Sequence, residues 1–191
     1  MKIRKISFYL TNNLRYCLLV SIAFSATSSC CFADPAVTNP ILDFVTQHPV
    51  TSDNKLLELQ TDLNHDGEKQ ILLSRTYDTD SSEGNIWTVY LPKPDGTYVK
   101  VDRLSDGDTI EFRRDCYFVG KIAGVNNDVI AAYFHGGDES GSLVVYQIIN
   151  YSVKVVIGKE IHPFGIDKPL FDKLFGGTPA PAVREIDLPN K

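Results

Sequence analysis

Between Lys55 and Gly158, short runs of branched and aromatic residues are interrupted every ten or so positions by Gly, Asp, Asn and Pro. That texture predicts antiparallel β structure. The strands expected from it are Leu56 to Leu59, Gln70 to Thr76, Ile86 to Leu91, Tyr98 to Asp102, Tyr117 to Ala123, Val129 to Phe134, Leu143 to Ile148 and Val153 to Gly158. Pro92-Lys93-Pro94-Asp95-Gly96 reads as a hairpin turn, because Pro fixes φ and Gly accepts a positive φ. The pattern changes to helical at both ends. Asn39 caps and Pro40 opens a short helix that stops before Pro49, and residues 167–175 predict one or two turns halted by Gly176-Gly177. The Pro-rich remainder, 176–191, is expected to be a flexible tail.

Two stretches of this pattern resemble each other, 57–101 and 118–156. Leu59 to Gly67 followed by Ile71-Leu72-Leu73 parallels Ile122 to Asp128 followed by Val129-Ile130-Ala131, with three residues fewer. Gly84 to Tyr90 parallels Gly141 to Tyr146, and Tyr98 to Val101 parallels Tyr151 to Val155. Four strands per copy is the content of a propeller blade. Two copies cannot close a ring of blades, so a duplication and a pair of stacked sheets with generic alternation both stand. The expected fold class is mainly β: two four-stranded antiparallel sheets, blade-like or sandwich-like, with short N- and C-terminal helices. The β domain spans 55–175, preceded by a lead-in with the short helix at 34–54.

The first 33 residues carry a different signal. Lys2, Arg4, Lys5 and Arg15 precede or abut the apolar run Tyr16 to Ala26, and no acidic residue occurs before Asp34. This is the order of a secretory signal peptide. At about 1.5 Å per helical residue, the run of 11 spans roughly half of a hydrocarbon core, so no stable membrane insertion is expected. Cys31-Phe32-Ala33 suits cleavage after Ala33, with Ala26-Thr27-Ser28 as an earlier choice, giving a periplasmic or secreted domain. A lipid anchor on Cys30 or Cys31 is the weaker alternative, since Thr27-Ser28-Ser29 lacks the usual Leu-like residue upstream. Removal of the leader leaves 15 basic residues against 24 acidic ones, a formal charge of −9. Such a surface repels phosphate backbones, which disfavours nucleic acid. It suits a protein partner with a basic surface. Cys116 remains the one cysteine after residue 33, and its apolar neighbours Tyr117-Phe118-Val119 argue for a packed thiol rather than a nucleophile.

One segment carries recognisable metal chemistry. Asp62-Leu63-Asn64-His65-Asp66-Gly67 alternates oxygen-bearing side chains and ends on a glycine, the way a short loop wraps a hard cation. Asp62, Asn64 and Asp66 would offer side-chain oxygens, Glu68 its backbone carbonyl and Gln70 a ninth-position oxygen. Position twelve is Leu73, not the bidentate Glu of an EF-hand. The stretch Asp62 to Leu73 resembles the Asp-x-Asn-x-Asp-Gly loop and strand of FG-GAP and VCBS-type repeats. That resemblance implies β-propeller blades whose loops bind calcium, although the family's ninth position is usually acidic and only Asn126 and Asp128 recur in the second copy. The competing reading is an Asx-rich turn whose side chains bond their own backbone without metal.

Other motifs are weaker. His135-Gly136-Gly137-Asp138-Glu139-Ser140-Gly141 contains a serine near carboxylates but lacks the Gly-x-Ser-x-Gly spacing of a nucleophile elbow, and its place between two strands makes it a hairpin loop. Its counterpart in the first copy runs Tyr77 to Glu83. Together Asp78, Asp80, Glu83, Asp138 and Glu139 would form an acidic rim suited to a partner. His48, His65 and His162 show no zinc spacing. Trp87 suits a packed face or a sugar-stacking platform. The function expected is a non-enzymatic binding or interaction module of the bacterial envelope, with calcium as a candidate structural ion. An inhibitor or immunity protein of a periplasmic toxin, which would show a protruding acidic loop or aromatic knob, and a small envelope hydrolase are the alternatives.

Overall fold

The computed structural model describes residues 36–51, 54–76, 84–137 and 139–187. In chain order the elements are α1 (Pro40–Gln47), β1 (Leu56–Thr61), β2 (Gln70–Arg75), β3 (Asn85–Ile86), β4 (Thr88–Pro92), β5 (Tyr98–Val101), β6 (Glu111–Phe112), β7 (Tyr117–Gly120), β8 (Val129–His135), β9 (Gly141–Ile149), β10 (Ser152–Ile161), α2 (Lys168–Phe175) and β11 (Arg184–Ile186). The chain is mainly β. Its strands form antiparallel sheets ordered β11-β1-β2-β4-β5 and β10-β9-β8-β7, with β3 and β6 as a small third pair. Each copy of the sequence pattern is therefore a four-stranded meander.

The side-chain alternation explains how the sheets stack. Leu57, Leu59, Leu72, Val89 and Leu91 from the first sheet share one cluster with Ile130, Ala132, Tyr146 and Val153 from the second, so these faces meet. The intervening residues point outwards, and a helix covers each outer face. Phe44 of α1 packs on Leu56, Leu73 and Tyr90. Leu174, with Leu170, Phe171 and Phe175, packs on Val129, Ala131, Leu143 and Val145. Because both faces of each sheet are covered, the inner strands β2, β4 and β8 are buried at most positions rather than at every second one. Helix α1 starts as its sequence predicts: Asn39 Oδ1 accepts from Leu42 N at 3.0 Å and Pro40 occupies the first turn.

The crossover between the sheets is anchored by Trp87. It is fully buried, stacks on Phe112 with ring centroids 4.6 Å apart, and donates from Nε1 to Phe112 O at 2.9 Å. The packed-face reading of this residue therefore holds, and a sugar platform does not. Tyr146 is likewise buried, and its hydroxyl donates to Glu111 O at 2.9 Å.

Three boundaries differ from expectation. The strand from Tyr117 stops at Gly120, not Ala123: Gly120 pairs with Val129 as the last rung and its φ of +152 turns the chain out of the ladder. The connections 62–69 and 121–128 consequently have equal length, and the apparent deletion in the second copy disappears. The last strand of the second sheet runs on to Ile161 through a bulge between Val155 and Ile157. Finally, the first sheet gains a fifth strand from the tail. Leu56, Leu57 and Glu58 pair with Ile186, Glu185 and Arg184, and the Tyr117 hydroxyl donates to Pro181 O. Arg184 forms an ion pair with Glu58, which is only 3% exposed, and Glu185 bridges Lys55 and Arg114. Charge pairing thus fastens a segment whose composition alone predicts a loose end.

Candidate functional site

Antiparallel order sorts the connections to two ends of the stacked sheets. At one end lie the β1–β2, β4–β5, β7–β8 and β9–β10 connections. At the opposite end of the second sheet lie residues 113–116, the β8–β9 loop and the turn between β10 and α2.

The first end contains the loop with candidate metal ligands. Asp62 accepts from Asp66 N at 3.2 Å and Gly67 N at 3.1 Å, while Asp66 accepts from Glu68 N at 2.8 Å and Asn64 Nδ2 at 2.6 Å. Gly67 turns the chain at φ +87. Gln70, 3% exposed, closes the set: its Oε1 accepts from Leu63 N at 2.8 Å, and its Nε2 donates to Asn64 Oδ1 at 3.1 Å and Glu68 O at 3.2 Å. A cation would need lone pairs aimed at one point. Here an amide N–H group is aimed at two of those oxygens instead, so the residues fit an ion poorly and fit a self-bonded Asx turn well. Among the described residues no cluster of three or more His, Cys, Asp or Glu is arranged to hold a metal.

This loop touches its counterpart in the second copy. Asp128 N donates to Leu63 O at 3.1 Å, and Asp128 Oδ2 lies 3.2 Å from His65 Nε2. Asp128 Oδ1 is buried with no hydrogen-bond partner among the described residues. Between the two sheets at this end opens a cleft of about 320 Å3, rimmed by Asn64, Asp66, Gln70, Asn127, Asn150 and Tyr151. Asn150 and Tyr151 form the β9–β10 turn with φ +48 and +56, and Tyr151 is 48% exposed. Glycine is the favoured second residue of such a turn, and an L side chain there costs about 1 kcal/mol.

The other end is apolar. The turn from His162 to Asp167 is held by Gly165 N donating to His162 O at 3.0 Å, Lys168 N to Gly165 O at 3.2 Å, and His162 N to Asp167 Oδ2 at 3.0 Å. From it Phe164 and Ile166 project, 75% and 88% exposed, while Pro163 is buried as the anchor. Beside them is a cleft of about 440 Å3 walled by Cys116, Tyr133, His135, Phe164 and Phe171, with Arg113 and Asp115 at its edge. The Arg113 guanidinium grips Asp115 through two 3.0 Å bonds and holds its carboxyl below the usual carboxylate range. Cys116 is half-buried rather than in the core, and burial pushes its thiol up, away from nucleophilic behaviour. His135 Nδ1 lies 3.4 Å from the backbone oxygen of Ser140.

Of the expected acidic rim, Glu139 is exposed on the β8–β9 loop next to this cleft, and Asp78, Asp80, Glu83 and Asp138 lie outside the described residues. Neither Phe164 nor Tyr151 stands out from the sequence pattern. The available signals were weak: a Pro-x-Gly turn around Phe164, and an Asn followed by Tyr where a hairpin prefers Asn-Gly. No described helix is long and apolar enough to cross a membrane. Compared with known proteins, the chain matches no family model, no curated protein and no solved structure.

Proposed function

We propose that this chain is an exported, non-enzymatic binding module that engages a protein partner through the end bearing Phe164 and Ile166. The observation that carries this reading is the exposure of those two side chains, 75% and 88%, on a turn pinned by three hydrogen bonds. Large apolar groups in water gain nothing until a partner covers them, and a rigid aromatic anchor beside a cleft is how interface energy is usually concentrated. Preorganisation lowers the entropic cost of docking. The adjacent Glu139 and the net −9 of residues 34–191 suit a basic rim around the partner's apolar socket. The leader-like pattern of the first 33 residues supports an encounter in the periplasm or beyond.

The same knob favours one further reading, an inhibitor or immunity protein whose Phe164 plugs the active site of a toxin enzyme. Both readings are tested by using residues 34–191 and a Phe164→Ala/Ile166→Ala double variant as baits in envelope extract. A protein retained by the unaltered domain and lost with the variant, at unchanged melting temperature, is the expected result. Identical retention by both baits overturns the proposal, and inhibition of the retained protein's activity would select the plug reading.

A further inference from the structure

We infer that the cleft at the opposite end, between the tips of the two sheets, is a binding site for a neutral sugar unit. Its volume of about 320 Å3 lies at the low end of the roughly 300 to 1,000 Å3 typical of small-ligand sites, which suits one compact ligand. The chemistry of its walls narrows the class. Leu91 and Ile148 supply an aliphatic floor, while Asn64, Gln70, Asn127 and Asn150 supply planar carboxamides around it. Those of Asn64 and Gln70 are engaged within the loop and fix the wall, while those of Asn127 and Asn150 each offer an acceptor oxygen and two N–H donors to a ring hydroxyl, which both donates and accepts. Neighbouring hydroxyls on a sugar match that arrangement.

Other classes fit worse. Among the described residues no Lys, Arg or His lines the cleft, so a phosphate or carboxylate would face Asp66 with no compensating cation. A metal ion would find a single carboxylate there, whose oxygens already accept from Glu68 N and Asn64 Nδ2. A purely apolar ligand would strip water from the amides and leave them unpaired. A neutral polyhydroxylated ring, with its polar rim and C–H face, satisfies both wall types.

The site also combines fixed and free groups. Gln70 locks Asn64 in place, whereas the side chains of Asn127 and Asn150 make no hydrogen bond to the described residues and are available to close on a ligand. Tyr151 stands half-exposed at the mouth, on backbone at φ +56 where glycine would be relaxed. A strained aromatic kept at the rim of a cleft marks a use for its ring, and stacking on the C–H face of a sugar is such a use.

Saturation-transfer NMR on residues 34–191 tests this with glucose, galactose, mannose, N-acetylglucosamine, cellobiose and maltose. Glucuronate, glucose phosphate and an uncharged serine-glycine peptide serve as competitors of other classes. Transfer to at least one neutral sugar is expected, and none of comparable strength to the competitors. Asn127→Ala should weaken that binding about fivefold to tenfold, the effect of one lost hydrogen bond. Tyr151→Gly should abolish it while leaving the melting temperature equal or higher, since glycine relaxes the turn, so lost binding cannot be put down to misfolding. Phe164→Ala, at the other end, should change nothing, which keeps this site separate from the proposed protein interface. Absence of transfer to every neutral sugar, stronger transfer to a competitor, or unchanged affinity in both cleft variants would overturn the inference.

Discussion

The two sheets share one four-stranded meander, to which the first adds β11, yet they are fastened by different forces. In the first, polar groups make the attachments: Gln70 gathers the β1–β2 loop, the Tyr90 hydroxyl donates to Asp43 Oδ2 of α1 at 2.8 Å, and ion pairs hold β11 to β1. In the second, apolar groups do so. Ile122 and Val125 tuck the β7–β8 loop under the outer face, and Phe171, Phe175 and Tyr133 cluster beneath α2 with ring centroids 5.0 to 6.2 Å apart. Similar backbones therefore leave the choice of adhesive open, and that choice sets how each half responds to mutation and pH.

The largest expected effect falls on the apolar half. Leu174→Ala removes a side chain 7% exposed and should cost about 3 kcal/mol in urea unfolding. A loss under about 1 kcal/mol would mean that α2 is not a structural lid. In the polar half, Gln70→Leu keeps the bulk but strands Leu63 N, Asn64 Oδ1 and Glu68 O, and should cost about 2 kcal/mol by the same measurement.

Tyr90→Phe should cost about 1 kcal/mol near neutral pH. It should also blunt the response to alkali. Burial, helped by Asp43, raises the Tyr90 hydroxyl well above its ordinary 10.0, and burial raises Tyr117 and Tyr146 to about 12. The unfolded chain ionises first, so their contribution is complete below pH 10 and is lost as pH rises through the folded-state values. A melting temperature that stays flat from pH 9 to 12 in the unaltered domain would contradict this.

Smaller effects involve the tail strand and the loop. Glu185 is held below its ordinary 4.5 by Lys55 and Arg114, so its contribution is present above that value and fades as pH falls through the depressed one. Glu185→Gln should mimic acid at neutral pH, seen as faster tryptic cleavage after Arg184 with little change in global stability. Smallest of all, calcium in place of a chelator should leave the melting temperature unchanged. A rise of several degrees would restore the cation-loop reading of residues 62–70.

Much of the scaffold was legible in the residue pattern because runs of branched and aromatic residues bounded by turn residues mark each long strand. What escaped notice did so for identifiable reasons. The strands β3 and β6, two residues each, are too short to carry a period. The tail strand depends on ion pairing with residues more than a hundred positions away, which no local window contains. The end of β7 was misplaced because Lys121-Ile122-Ala123 continues the alternation, while the backbone leaves the ladder after the Gly120–Val129 pair. The candidate cleft draws Asn64, Asn127 and Tyr151 from three separate connections, so only folding brings them together. Loop 62–70 was conspicuous as a motif, but the way Gln70 gathers Leu63, Asn64 and Glu68 by hydrogen bonds shows only in the folded chain.

The pairing of Arg184 to Ile186 with β1 also has a bearing on biosynthesis. The free side of Leu56, Leu57 and Glu58 is closed by residues more than a hundred positions further along the chain, so all of that stretch must be synthesised before that row of amides is shielded. Until then the nascent molecule presents a sticky template to any neighbour. Removing the chain from residue 184 onward would make that exposure permanent and favour fibrous self-assembly over a dispersed product.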